Sequence, residues 1–181
     1  YTLGKDGEDP CGEIDSGDVE DYGIIYGEEN AHVLPPDGPD EPVDEVCVPE
    51  FSYRPYAYIK KVEFANISNE TTGEVNNTEI IEDFRDNQEL NGHIEKGKEY
   101  VMKVTYSNLN SNSKDAYVIR AYIDWNHDNI LEKEESQKIA IPAIGSADNP
   151  GTVEFRWTAP DNAVLNEKLH MRVFMHYGDA D

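Results

Sequence analysis

The chain has 181 residues and a formal net charge of −23, and 38% of its residues are hydrophobic. This length suits one globular domain with additional segments. The negative charge repels phosphate backbones and anionic headgroups, so it argues against nucleic-acid and membrane-surface binding and favours cations, calcium first. No apolar run approaches the ~20 residues of a membrane span.

The N-terminal region contains one predicted strand between two irregular segments. Residues 1–17 are rich in Gly and Asp and predict a loop. In the next segment, Val19–Tyr26, Tyr22, Ile24 and Tyr26 alternate on one face, as in a half-buried strand. Residues 27–46 combine four prolines with acidic side chains, which predicts an extended linker.

The remainder, residues 47–181, predicts an all-β antiparallel sandwich of immunoglobulin-like or jelly-roll type. Short alternating segments are separated by Gly, Asn and Pro, the pattern of such sandwiches. The predicted strands span residues 57–65, 99–106, 116–123, 137–141, 152–158 and 168–176.

Two cysteines, Cys11 and Cys47, favour a disulfide over two buried thiols. An acidic, Tyr- and Asn-rich chain with two such cysteines is typical of secreted proteins. The chain opens at Tyr1 without a basic and apolar leader, which we interpret as a processed chain or a piece of a longer one.

The sharpest motif is an acidic loop with the ligand spacing of an EF-hand calcium loop. Oxygen side chains occupy positions one, three, five, nine and twelve, and the carbonyl at position seven completes the set. Asn129 replaces the usual glycine and tolerates a left-handed backbone. The alternative is a solvated hairpin loop held by turn hydrogen bonds. The predicted ligands are Asp124, Asn126, Asp128, Ile130, Glu132 and Glu135.

Three sequons, at Asn66, Asn69 and Asn76, predict N-linked glycans in a polar loop, although each is a weak signal in an Asn-rich chain. A second acidic cluster is interpreted as a solvated charged face, and the alternatives are a second cation site or hydrogen bonds to backbone donors at a domain edge. It consists of Glu13, Asp15, Asp18, Glu20 and Asp21.

No catalytic constellation stands out, so we expect no enzyme activity. His170 and His176 share one strand face and are predicted to be surface residues. Trp125 and Trp157 are predicted to pack in the core rather than to stack on sugars.

Three sequence blocks resemble the GEVED domain family. They are Gly17–Tyr22 (GDVEDY), which follows Cys11, then Ile123–Asp128 (IDWNHD), and Met171–Val173 (MRV). The resemblance implies a β-sandwich module of secreted bacterial surface proteins and peptidases.

The order of the blocks differs from the family, in which the GEVED strand comes last. The resemblance therefore implies that residues 1–26 complete an adjacent unit, that 27–46 are a spacer, and that 47–181 receive a strand from the next unit. Strand donation by Val19, Tyr22, Ile24 and Tyr26 would then link copies of this chain. A tandem-repeat polypeptide and a fold-back monomer are the alternatives.

The same order implies that Cys47 of one unit bonds Cys11 of the following unit, with an intrachain bond as the alternative. The expected function is a structural subunit or repeat of an extracellular filament or surface array, a head-to-tail homopolymer stabilised by calcium. The alternative function is an accessory glycan- or protein-binding domain of a secreted peptidase or adhesin.

Overall fold

A computed structural model describes residues 9–28, 47–53, 57–71, 81–108, 116–141 and 150–178. These residues are mostly β-strand, with short 3-10 turns at Gln88–Leu90 and Lys133–Glu135. The strands are β1 (Glu13–Gly27), β2 (Glu50–Tyr53), β3 (Ala57–Phe64), β4 (Ile67–Glu70), β5 (Ile81–Asp83), β6 (Gly92–Glu95), β7 (Glu99–Asn108), β8 (Tyr117–Ile123), β9 (Ser136–Ile141), β10 (Gly151–Thr158) and β11 (Lys168–Tyr177).

The strands form two sheets that pack face to face, which confirms the predicted all-β sandwich. The larger sheet has the order β2-β1-β11-β8-β9, and β5 and β6 also pair with β1. The smaller sheet has the order β10-β7-β3-β4. All pairs are antiparallel except those of β1 with β2, β5 and β6, which are parallel.

The inward side chains follow the alternation of the sequence. Tyr22, Ile24 and Tyr26 of β1 lie in the core with Met102 and Val104 of β7. The indole rings of Trp125 and Trp157 are also buried, with centroids 6.1 Å apart, as predicted. The outward side of β1 is covered too, because Val19 packs against Phe174, Phe51 and Ile81.

Several elements differ from the predictions. The predicted loop 1–17 is wrong at residues 13–17, where β1 has already begun and pairs with β2. The short strands β2, β4, β5 and β6 were not predicted, since three or four residues hold too little alternation to be recognised. Most of the predicted linker, residues 29–46, and the sequon at Asn76 lie outside the described residues. None of the described segments contains a helix long and apolar enough to cross a membrane.

Candidate functional site

The candidate site is the groove in the larger sheet that β1 fills. Along one edge, β1 pairs with β11 from Gly17, opposite His176, to Ile25, opposite Lys168. Along its other edge, it pairs in turn with β2, β5 and β6. Both hydrogen-bonding edges of β1 are therefore occupied over most of its length, and β1 is an interior strand rather than an edge strand.

The side chains of β1 also complete the hydrophobic core. The ring of Tyr22 lies 5.3 Å from that of Phe84, and the ring of Tyr26 lies 6.0 Å from that of Trp125. Ile24 is fully buried between them. Without β1, the groove would expose the apolar side chains that now pack against this strand. Burial of one such side chain is worth about 1.5–3 kcal/mol, so an empty groove would be costly.

A buried ion pair fixes the position of β1 against β11. The guanidinium of Arg172 donates from Nε and Nη2 to the two carboxylate oxygens of Asp21, both at 2.8 Å. Arg172 is 1% exposed and Asp21 is 2% exposed. Burial would raise the pKa of Asp21, but the hydrogen bonds from Arg172 and His170 and their charges hold it well below its usual value. A bidentate pair of this kind selects one register, since a slip of β1 would leave both charges buried and unpaired.

The remaining amino group of Arg172 lies at a disulfide. Nη1 donates to the carbonyl oxygens of Pro10 at 2.9 Å and Cys47 at 3.0 Å. Cys11 and Cys47 are bonded to each other, as predicted for this pair, and in the structure both belong to one chain. That is the alternative to the bond between copies that the family order implies. Arg172 thus joins β1, the segment before it and the start of the body.

Asp18, Glu20 and Asp21 of the second acidic cluster are buried rather than solvated, so the interpretation was wrong for these three residues. Asp18 accepts hydrogen bonds from the backbone N–H of Ile59 at 2.7 Å and of Val19 at 3.1 Å. Glu20 is fully buried and accepts from the Tyr22 hydroxyl at 2.6 Å and the Thr71 hydroxyl at 3.2 Å.

Burial shifts both carboxyl groups toward their neutral forms. It raises the pKa of Asp18 to about 7, against the hydrogen bond from Ile59, and the charge of Glu82 adds to the rise. The pKa of Glu20 is raised well above its usual value by burial and by the charge of Asp18. A proton on these groups therefore favours the docked state of β1.

The two histidines are also buried, which corrects the prediction that they lie on the surface. His170 Nε2 lies 3.0 Å from Asp21, and His176 stacks on Phe174 with a centroid distance of 5.1 Å. Burial lowers the pKa of His176. They were predicted to be exposed because the sequence does not show that β11 lies between β1 and β8, although both of those strands were predicted.

The acidic loop after β8 is closed by its own hydrogen bonds. Asp124 accepts from the backbone N–H of Asp128 and of Asn129, at 3.2 and 3.0 Å. Glu135 Oε1 accepts from the backbone N–H of Trp125 and of Asn126. Asn129 has a φ of 63°, the left-handed backbone expected where it replaces glycine.

The predicted calcium ligands are only partly gathered. Asp124 and Glu135 are buried, whereas Asp128, Ile130 and Glu132 are exposed. Among the described residues, no group of three or more His, Cys, Asp or Glu side chains is arranged to hold a metal ion. Glu135 Oε2 is buried without a hydrogen-bond partner. Burial raises the pKa of Glu135, and the charge of Asp124 adds to the rise. Calcium binding by this loop stays a prediction.

Two sequon residues lie on or beside β4. Asn66 is exposed, but its amide donates to the Asn91 carbonyl and accepts from the His93 N–H. The Asn69 amide donates to the buried Tyr22 hydroxyl at 2.9 Å. A glycan on Asn69 would have to displace this contact, so Asn66 is the better acceptor of the two, and glycosylation stays a prediction.

Sequence reasoning missed Arg172 as the centre of this site. The available signal was an arginine that shares a strand face with the apolar residue Phe174 in the middle of Lys168–Tyr177. Such a residue must find a buried partner.

Comparison with known proteins gives one match. Residues 118–181, just over a third of the chain, match the GEVED domain family. This segment contains β8 from its second residue onward, β9 to β11 and the acidic loop, but not β1. No curated protein and no solved structure matches the chain.

Proposed function

Because this chain carries a GEVED domain over residues 118–181, we propose that it is a structural module of an extracellular bacterial filament or surface array. GEVED domains are non-catalytic β-sandwich modules of secreted bacterial proteins. In the proposed assembly, β1 of each copy completes the sandwich of the next copy.

Two facts about β1 carry the proposal. It lies in the interior of the larger sheet, and its main partner, β11, lies near the other end of the sequence. β1 pairs with β11, and its Asp21 bonds Arg172, 151 positions later. An isolated strand with the apolar face of Tyr22, Ile24 and Tyr26 is not stable in water, so something must bury it. The groove beside β11 is the matching surface, and an unfilled groove would aggregate.

The same groove accepts β1 from either source. Residues 27–46 can span at most about 70 Å, so their length forbids neither a return to the groove of their own chain nor donation to an adjacent copy. The acidic and Pro-rich composition of this segment disfavours its collapse onto the body. A strand given to the next copy makes a head-to-tail contact, and repetition of such a contact yields an open filament.

The experiment is denaturing electrophoresis of the purified full chain without reductant. If β1 is exchanged between separate chains, the Cys11–Cys47 bond joins copies, and a ladder appears that collapses to one band with reductant. Cys11→Ser is the matched control and should give one band in both conditions. A wild-type monomer band at concentrations that permit assembly would support the fold-back chain.

The mass of the native polypeptide distinguishes a tandem-repeat protein from both separate chains that exchange β1 and a fold-back chain. A tandem-repeat polypeptide would have the mass of several units of 181 residues even after reduction. A monomer with saturable glycan or protein binding would instead identify an accessory binding module.

A further inference from the structure

We propose that Arg172 positions and activates Cys47 as the reactive thiol in the formation of the Cys11–Cys47 disulfide. The inference rests on the proposed function only in treating this disulfide as the lock on a docked β1. Its chemistry is the same whether β1 comes from its own chain or from another.

The guanidinium of Arg172 divides its donors between Asp21 and the disulfide. Nε and Nη2 are both taken by Asp21, so the ion pair leaves Nη1 to face the disulfide. Nη1 lies 3.0 Å from the Cys47 carbonyl and 3.8 Å from the Cys47 Sγ. No such contact from Arg172 to the Cys11 sulfur is present among the described residues.

The charge of Arg172 should make the nearby thiol of Cys47 more acidic. A thiol beside an arginine ionises more readily than the free thiol, whose pKa is about 8.5. Nη1 lies 3.8 Å from the Cys47 sulfur and belongs to a side chain that is 1% exposed, where solvent screens the charge of the guanidinium weakly. Cys47 should therefore be the more acidic of the two thiols before the bond forms.

Arg172 also contacts the backbone next to Cys11. Nη1 also holds the Pro10 carbonyl, one residue before Cys11, at 2.9 Å. The same group thus fixes the backbone beside both cysteines. When β1 docks and Asp21 meets Arg172, the segment that carries Cys11 is brought to Cys47.

The reaction needs an oxidant, which we assign to a small disulfide of the glutathione class. The Cys47 thiolate attacks one sulfur of that disulfide and releases one thiolate, leaving a mixed disulfide on Cys47. The Cys11 thiolate then attacks the Cys47 sulfur, forming the protein bond and releasing the second thiolate. Two protein thiols are oxidised, one small disulfide is reduced to two thiols, and the protons end on the released thiolates.

The test compares the two thiols one at a time in the reduced full-length chain. The rate of alkylation by iodoacetamide is measured against pH for Cys11→Ser, which leaves Cys47, and for Cys47→Ser, which leaves Cys11. We expect the alkylation rate of Cys47 to increase at a pH at least about one unit lower than that of Cys11. Equal profiles, or a more acidic Cys11, would overturn the proposal.

A second arm tests the role of Arg172 itself. Asp21→Asn and Arg172→Gln are combined in the Cys11→Ser chain, so that both charges of the buried pair are removed together. With native circular dichroism retained, the Cys47 profile should move to that of an ordinary thiol. An unchanged profile would contradict the proposal.

The first arm leaves Asp21 and Arg172 intact, so it decides the question even if the triple variant does not fold. Both arms use a protein concentration at which β1 is docked, whichever chain supplies it. Their readout is the acidity of a thiol, which differs from the electrophoretic ladder that tests assembly.

Discussion

At the scale of single residues, the buried carboxyl groups of β1 set a pH dependence. Asp18, whose pKa is raised to about 7, and Glu20 hold protons in the folded state that they lose in the unfolded chain. Between the unfolded pKa values, about 4, and about pH 7, the folded state therefore binds more protons than the unfolded state. The stability that these two groups contribute therefore falls as pH rises through this range.

We predict that the contribution of Asp18 to the free energy of unfolding declines by on the order of 4 kcal/mol between about pH 4 and pH 8. His176 acts in the opposite direction, because its lowered pKa makes the folded state lose stability below about pH 6.5. Asp21 is ionised in both states above about pH 5 and adds no slope there.

The measurement is urea unfolding at several pH values for the wild type and for Asp18→Asn. The asparagine variant keeps a side-chain acceptor for the Ile59 N–H but cannot ionise. Its stability should be flatter between about pH 5 and pH 8. Parallel wild-type and variant curves would show that Asp18 does not titrate in this range.

The acidic loop gives a second prediction at this scale. Buried Glu135 Oε2 lacks a hydrogen-bond partner and lies beside the carboxylate of Asp124 closely enough for that charge to raise its pKa. Calcium bound only to the folded state would stabilise it by about 2.7 kcal/mol at a hundredfold excess over Kd. The melting midpoint should therefore rise with calcium relative to chelator.

Glu135→Gln should lose most of this rise, while Glu134→Gln, at the exposed neighbouring position, should keep it. A wild-type midpoint that is the same with calcium and with chelator would leave the loop as a hairpin held by its own hydrogen bonds.

At the scale of elements, β1 carries the prediction with the largest effect. Ile24→Asp places a charge at a fully buried core position, and charge burial there should prevent docking of the strand. We expect loss of polymers, measured by sedimentation and electron microscopy of the same preparation. Val48→Asp is the matched control, because Val48 is 68% exposed and should tolerate the charge. Normal filaments from Ile24→Asp would rule out donation of β1.

The predictability of the elements follows their length and alternation. β7, β10 and β11 were predicted to within two residues, because eight to ten alternating residues define a strand by themselves. β5 has three residues, and it exists only because Val19–Asp21 of β1 lies beside it. Because β5 is defined by this pairing, its own three residues are too few to predict it.

The candidate site shows the same division. The cysteine pair and the buried face of Tyr22, Ile24 and Tyr26 followed from composition and period. The Asp21–Arg172 bond did not, because it depends on a pairing between strands at opposite ends of the chain. Burial of His170 and Glu20 follows from that pairing and was therefore missed with it.

At the scale of the whole molecule, melting of the reduced protein distinguishes a β1 that fills the groove of its own chain from a β1 that fills the groove of another copy. An intrachain bond closes a loop with a sequence separation of 36, worth about 4 kcal/mol in the chain-entropy model. We predict that the melting midpoint falls on reduction.

The dependence of that midpoint on protein concentration is the informative part. If β1 comes from another copy, the midpoint of the reduced protein should rise with concentration, as mass action requires. Cys11→Ser in buffer without reductant should reproduce this behaviour. A midpoint independent of concentration over two decades would favour the fold-back chain.

The position of β1 also orders events during folding. β1 is an interior strand whose antiparallel partner, Lys168–Tyr177, follows all the other described strands in the chain. Long-range pairing of this kind is slow to form, because the loop-closure cost precedes any gain from contacts. Until β11 is in place, the larger sheet is incomplete, and Glu13–Gly27 lacks its antiparallel partner. A groove that is already complete on another copy would then compete for β1 with the groove of its own chain.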